Sequence, residues 1–477
     1  MLFNSFEFAI YLPVIFILYW FVSQRNLKAQ NLLLLVASYV FYGWWDWRFL
    51  SLLAFSSLVD YFVGVGFTRI DDSHRRKLLL LASICVNLGF LGFFKYYNFF
   101  AESFADVFTL LGKPIEVSRL NIILPVGISF YTFQTLSYSI DCYKRKLEPT
   151  KDFVAFFAFV SFFPQLVAGP IERASNLLPQ FYKKRIFNAE LAQDGFRQII
   201  WGLFKKVVIA DTCAQYVNDI FDNYPEYSGA TVALGIIYFS FQIYGDFSGY
   251  SDIAIGTARL FGFDLMRNFA YPYFSRDIAE FWRRWHISLS TWFRDYLYIP
   301  LGGSRGGLWH KIRNTFIIFI VSGFWHGANW TFIVWGALNA LYYMPIMLLK
   351  RNRKNLEIVG ENRWYPSLRE VVNLLITFTM AAFAWIFFRA QNLTEAFSYI
   401  NKMITGGIGI DKLEIQRYSF EILPLIGILL LFEWFARKRM HPLNPGRWMW
   451  PKIAMVIMLI MALGSYSSLQ DFIYFQF

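Results

Sequence analysis

TFIIFIVSGFWHGANWTFIVWGALNALYYMPIMLL, residues 315–349, runs for 35 residues without a Lys, Arg, Asp or Glu, and SGFWHGAN interrupts it near the middle. About 20 apolar residues span a bilayer as a helix, so this stretch is too long for one span. The interruption predicts a hairpin or a broken helix pair. Irregular backbone at membrane depth survives only inside protein or beside a watery cavity, because lipid offers no hydrogen bonds. His326 lies in that interruption, flanked by Gly323, Gly327, Trp325 and Trp330. A histidine at membrane depth is costly and marks a functional site by default. It is also the usual general base near neutral pH. The bland alternative is a structural histidine satisfied by a neighbouring carbonyl.

Working outward, the remaining apolar blocks have spanning length: about 6–23, 30–45, 50–68, 78–98, 120–140, 198–216, 229–257, 370–388, 419–436 and 449–464. Residues 155–168 are shorter and end in Pro164 to Pro170, which suggests a re-entrant element. The whole chain of 477 residues is 56% hydrophobic, 21% aromatic and 16% charged, against about 25% charged in a soluble domain. The expected fold is all-α: a polytopic membrane bundle of about 10–12 spans with re-entrant or broken helices. A soluble enzyme, a disordered chain and a small secreted scaffold are excluded. No repeat or linker divides it, so residues 1–477 read as one membrane domain with its core motifs at about 120–349.

The net charge of +12 has a topological explanation. The first 23 residues hold no Lys or Arg, while Arg25 and Lys28 follow the first block, so no cleavable signal is expected and the N-terminus is placed outside. On that map the inner loops carry 34 of the 45 Lys and Arg residues and the outer segments carry 7. Both termini are expected on the outer side of the membrane, and no nucleic-acid partner is expected. Cys85, Cys142 and Cys213 are scattered and read as small core residues. No metal is expected, and bis-histidine haem or zinc lacks further ligands.

The longest inner stretch, 258–313, contains DIAEFWRRWHISLSTWFRDYLYIPLGG. At about 100° per residue, Phe281, Trp285, Leu289, Trp292 and Tyr296 share one sector, opposite Arg283, His286, Ser290 and Arg294. An amphipathic helix over about 277–298, lying in the interface, is expected. It is either a basic anchor on anionic lipid or, through Arg283, Arg284 and Arg294, a receiver of a cytosolic polyanion. Asp246 and Asp252 interrupt another span, in YFSFQIYGDFSGYSDIAIG, and must pair or line water; Lys205 and Lys206 are candidate partners. His74 and His441 sit among loop basics and are expected to be solvated, and His310 lies near the membrane boundary.

These motifs resemble the membrane-bound O-acyltransferases (MBOAT), in the branch of the bacterial alginate O-acetylation membrane protein. The resemblance extends through LLLLVASYVFYGWWDW (32–47), LPVGISFYTFQTLSYSIDCYK (124–144), FFPQLVAGPIERA (162–174), FKKVVIAD (204–211), YGDFSGYSDIAIG (244–256) and the closing FIYFQF. It implies a fold with a tunnel through the membrane and an O-acetyltransferase that takes acetyl from cytosolic acetyl-CoA, with no permanently bound cofactor. The acceptor is an extracytoplasmic polysaccharide, acetylated directly or through a periplasmic SGNH-type or alginate-acetylation partner. The family's essential histidine maps onto His326 and its second histidine onto His286. Arg283, Arg284 and Arg294 become candidate donor contacts, and Trp325, Asn329 and Asp246 candidate substrate contacts. A transporter or flippase, and a scaffold of a polysaccharide export complex, are the alternatives.

Overall fold

The computed structural model describes residues 1–23, 26–167, 169–413, 422–466 and 472–473. Arg25, Ala168 of the 162–174 motif, the start of the 419–436 block and the last four residues of FIYFQF therefore lie outside the described residues. Among the described residues every regular element is helical. Five helical stretches are long and apolar enough to cross a membrane: Leu27–Arg69, Ser73–Leu110, Gly229–Leu260, Trp330–Leu348 and Leu368–Arg389. Four shorter apolar ones accompany them, at Phe6–Val22, Phe153–Leu166, Ile422–Phe435 and Met449–Leu463. The protein is a multi-pass membrane protein. The chain forms two compact units, residues 1–195 with 257–266, and 196–256 with 267–477.

The first unit contains α1 (Phe6–Ile17), α2 (Leu27–Asp46), α3 (Leu50–Arg69), α4 (Ser73–Leu91), α5 (Tyr97–Leu110), α6 (Ile128–Tyr143), α7 (Phe153–Ser161) and the short α8 (Phe163–Leu166) and α9 (Ala174–Leu177). Polar side chains start these helices: Asn26, Asp72 and Asp152 each accept a first-turn backbone N–H, satisfying donors that a helix leaves open. The expected span 120–140 is helical only from Ile128, because Pro125 brings no N–H and Gly127 takes a left-handed φ of 75°. The expected short element at 155–168 is present as α7 and α8. Asp60 is fully buried, yet its carboxylate accepts from Ser83 and Ser139 (2.7 Å) on one oxygen and from Asn87 (2.8 Å) on the other. That arrangement is how a carboxylate is tolerated among apolar helices.

The second unit receives the chain through α10 (Ala189–Leu203), a π-helical turn at Phe204–Ala210 and α11 (Asp211–Asp222), then α12 (Gly229–Leu260). The π-turn places Lys205 and Lys206 side by side in sequence but on different partners. Lys206 bridges Asp211 and Asp246, both at 2.8 Å, and Lys205 bonds Asp252 at 2.5 Å and Ser248 at 2.9 Å. Both lysine–aspartate pairings expected from the sequence are present. Beyond these lie α13 (Ile278–Arg284), α14 (Ile287–Phe293), α15 (Leu308–His326), α16 (Trp330–Leu348), α17 (Leu368–Arg389), α18 (Leu393–Thr405), α19 (Ile422–Phe435) and α20 (Met449–Leu463).

The block at 315–349 is a broken helix pair. α15 ends at His326, Gly327 is extended, and Asn329 starts α16 by accepting from Thr331 N at 3.1 Å. The two helices pack at van der Waals contact because glycines face backbone: a Cβ at Gly323 would lie 2.1 Å from Phe332 O, and one at Gly336 would lie 2.3 Å from Phe319 O. Small residues are the usual device for close helix packing where lipid removes the hydrophobic drive.

The single amphipathic helix expected at 277–298 is instead two short helices followed by a π-turn at Arg294–Tyr298. The break falls at Trp285–His286, where His286 adopts a left-handed φ of 43° and ψ of 55°. Its cause is competition for backbone hydrogen bonds. Ala270 N bonds Arg284 O and Ile287 N bonds Asn268 O, both at 2.9 Å, so the strand-like segment 268–270 takes groups that a continuous helix would use. The aromatic side of this element is covered by protein, since Phe281, Trp285 and Leu289 are buried, and His286 of the opposite sector is buried as well. His441, expected among solvated basics, is buried as well.

Candidate active site

His286 and His326 line one cavity of about 410 Å³ in the second unit, a volume within the ordinary range for small-molecule sites. His326 arrives as the last residue of α15, and one face of that helix (Thr315, Ile318, Phe319, Ser322 and His326) forms a wall of the cavity. Spacing of three, four and seven residues puts those side chains in one stripe. His286 arrives at the α13–α14 break. The ring centroids of the two histidines are 6.4 Å apart, too far for their nitrogens to reach the ~3 Å of a hydrogen bond. A small group between them is the geometry that engages both.

Aromatic rings fix the walls. His326 meets Trp325 at 5.0 Å, Trp335 at 5.2 Å and Phe388 at 5.2 Å, each edge to face. His286 meets Phe247 at 4.6 Å. Burial among these rings holds the His286 imidazole well below the usual histidine range, because charging it would demand desolvation of a cation. Its left-handed backbone costs about 1–2 kcal/mol in a non-glycine residue, so surrounding contacts impose that conformation. The indole N–H of Trp282, also on the cavity wall, is buried with no hydrogen-bond partner among the described residues.

The other sequence candidates separate into those at the cavity and those elsewhere. Arg283 and Arg294 line it. The Arg283 guanidinium donates to Asn352 O (2.7 Å) and Asn355 O (2.6 Å), tying down the loop after α16, while Arg294 forms an exposed pair with Asp295 at 2.7 Å. Arg284 is not on the cavity wall: it is inside an ion pair with buried Glu280 at 2.8 Å and donates to Ala270 O. Trp325 packs on both histidines without lining the cavity. Asn329 is engaged in starting α16, and its amide N–H donates to Gln391 O at 2.7 Å. Asp246 holds Lys206 and accepts the backbone N–H of Ile473 at 2.7 Å, away from the cavity.

Arg353, which the sequence reading missed, joins Arg283 and Arg294 on the cavity wall and forms no ion pair among the described residues. Its signal was the basic run KRNRK directly after the 315–349 block. Missing from the sequence was that Arg283 would draw that loop back over the α13–α14 element.

Residues 144–388 match the model of the membrane-bound O-acyltransferase family, a span that contains every residue lining the cavity. The chain belongs to the membrane-bound O-acyltransferase family. It lies on the alginate O-acetylation branch. It is 40% identical over 407 residues to a probable alginate O-acetylase, AlgI, of Pseudomonas aeruginosa, covering 85% of this chain and 74% of that protein. A peptidoglycan O-acetyltransferase of Helicobacter pylori is 36% identical over 451 residues, covering 88% and 82%. A teichoic acid D-alanyltransferase of Bacillus subtilis is 27% identical over 283 residues, covering 57% and 70%. The chain is thus a membrane O-acyltransferase, and its two cavity histidines are those that the family resemblance singled out.

Proposed function

We propose that this acyltransferase moves an acetyl group from cytosolic acetyl-CoA to a hydroxyl of an extracytoplasmic polysaccharide, alginate-like or another surface glycan, in the bacterial inner membrane with both termini outside. The acceptor is either the glycan itself or a periplasmic SGNH-type acetyltransferase that relays the group. The observation that carries this reading is two buried histidines on separate helix breaks sharing one cavity, in a chain whose relatives are named O-acetylases.

In the mechanism, His326 takes the proton of the acceptor hydroxyl as the oxygen attacks the thioester carbonyl. The C–S bond then breaks, and the departing thiolate receives that proton from the imidazolium. His286 orients the hydroxyl. The Trp282 N–H, buried without a partner among the described residues, would donate to the developing oxyanion; Asn329 already spends one amide N–H on Gln391 O. Arg283, Arg294 and Arg353 present positive charge to the phosphates of CoA, and the family's through-membrane tunnel would run from that basic end past His326. The histidine acts on a ternary complex; an acyl-histidine is the alternative that burst kinetics would expose.

The test is labelled acetyl-CoA at the inner face of proteoliposomes, with candidate glycans and partner proteins outside. His326→Ala and His326→Gln, folded and inserted, should lose transfer by at least ~10³-fold, the scale of general acid–base catalysis. Transfer that survives both substitutions sinks the catalytic assignment. Glycan movement without thioester cleavage would instead favour a transporter.

A further inference from the structure

A single amide decides which nitrogen of His286 carries the proton. Asn268 is buried, and its side-chain oxygen receives three groups: the backbone N–H of Ser288 at 3.3 Å, the Ser288 hydroxyl at 2.9 Å and His286 Nδ1 at 3.0 Å. Its NH₂ points the other way, to the Ser251 hydroxyl at 3.1 Å. Oxygen and nitrogen of an amide are normally assigned from such networks. Here a backbone N–H settles the matter, because it can only donate. The atom facing Ser288 N must be the oxygen, and the same atom faces His286 Nδ1. The Ser288 hydroxyl also lies 3.4 Å from Nδ1, but it spends its one proton on the nearer Asn268 oxygen. Nδ1 therefore carries the proton that this oxygen receives, and in a neutral imidazole that leaves Nε2 as a bare lone pair. Nε2 is buried and has no hydrogen-bond partner among the described residues, while the ring lines the cavity shared with His326.

We propose that Asn268 is a positioning residue of this site: it clamps His286 as the Nδ1–H tautomer, so that Nε2 serves as a fixed acceptor for the hydroxyl to be acylated. The role of that hydroxyl rests on the acyl-transfer reading above; the tautomer clamp does not. The hydroxyl has one proton: donated to His286 Nε2 it holds the bound acceptor in place, and it swings to His326, which is too distant to bond His286 directly, as the oxygen attacks. The backbone supports the clamp. Ile287 N bonds Asn268 O, so the same residue that fixes the ring also holds the chain on the far side of the left-handed His286. Loss of the amide oxygen frees the ring to carry its proton on Nε2. The acceptor would then become a donor, and a donor cannot aim an O–H proton.

The chain has five histidines, few enough for imidazole-¹⁵N solid-state NMR of the full-length protein in lipid, with His286→Gln assigning the signal. At neutral pH the His286 signal should show a protonated Nδ1 and a bare Nε2. Asn268→Leu, similar in size but without an acceptor, should move the signal toward the Nε2–H form and lower kcat for acetyl transfer at least tenfold. Asn268→Asp keeps the acceptor, and Ser251 can turn its hydroxyl to donate to the second oxygen, so it should retain the wild-type tautomer and recover activity. A wild-type Nε2–H signature overturns the proposal, as does an unchanged signature in Asn268→Leu. Should no sample transfer acetyl from acetyl-CoA, the donor assignment fails while the tautomer readout still decides the role of Asn268. Should Asn268→Leu fail to fold, the wild-type and Asn268→Asp spectra decide it.

Discussion

Gly323 offers the sharpest test of the helix pair that carries His326. An alanine Cβ there would sit 2.1 Å from Phe332 O and 3.3 Å from Gly336 N. The first contact falls ~1.3 Å short of ordinary van der Waals distance. It is against backbone, so no side-chain rotation relieves it. α15 and α16 must therefore separate by about 1 Å at that level, one turn from His326. Overpacking of this kind costs roughly 1–3 kcal/mol. A displacement of about 1 Å at a reacting group costs about 10²-fold in rate, equivalent to ~2.7 kcal/mol of barrier. Gly323→Ala should thus lower acetyl transfer about a hundredfold and reduce the thermal midpoint in detergent. Gly427→Ala is the control: nothing lies within 4 Å of its Cβ, and in α19 it should be neutral or slightly stabilising. A Gly323→Ala protein with wild-type transfer and an unchanged midpoint would refute the backbone contact, and with it the placement of His326 by that contact.

The other predictions concern charge. Lys206→Met leaves Asp211 and Asp246 buried without their common cation, which should cost about 3–5 kcal/mol and be read as lost folded yield or a lower unfolding midpoint. Arg284→Ala breaks a buried pair and should destabilise the protein, whereas Arg294→Ala removes an exposed pair of little stabilising value and should raise KM for the acyl donor instead. Burial pushes the Glu172 carboxyl from 4.5 up to about 7. Ionising it in the folded state therefore opposes folding: its contribution is most favourable below pH 4.5 and is progressively lost as pH rises to about 7, by ~3 kcal/mol in all. Acidification from pH 8 to 5 should accordingly stabilise the wild type relative to Glu172→Gln, and equal pH dependence in the two proteins would contradict the shift.

Local physics was legible in the sequence wherever it acted alone. The break at 327–329 was readable because glycines and a polar Asn cannot continue an apolar span, and the Lys205 and Lys206 pairings because buried acids demand cations nearby. Helix periodicity failed at 285–286. It assigned Arg283, His286, Ser290 and Arg294 to one polar sector, but it could not see segment 268–270 arriving to take Arg284 O and Ile287 N. Two site assignments missed signals that were present. Glu280 stands four residues before Arg284, the spacing of an intrahelical pair, and Asn329 directly precedes an apolar run, the position of a helix cap. The burial of His441 and the return of Arg353 to the cavity depend on contacts between distant segments, and no local pattern encodes them.

The placement of the chemistry follows from the solvent. A helix buried in lipid has spent its backbone polar groups on itself and offers none to a reaction. A reacting hydroxyl needs aligned donors and acceptors, and at membrane depth those exist only where a helix is interrupted and protein satisfies the freed groups. Each histidine lies at a helix break, His326 at the end of α15 and His286 between the short α13 and α14. At His326 the repair is Asn329, which caps one helix and ties the break to Gln391 O. At His286 it is Asn268, whose backbone and side chain both bond the broken element. The two asparagines make the breaks affordable, and only one of them touches a histidine. Loss of Asn329 should therefore act through the stability of the α15–α16 break, while loss of Asn268 should act through the protonation of a single ring nitrogen. A variant pair that reversed those two signatures would show that the chemistry is not organised by the breaks.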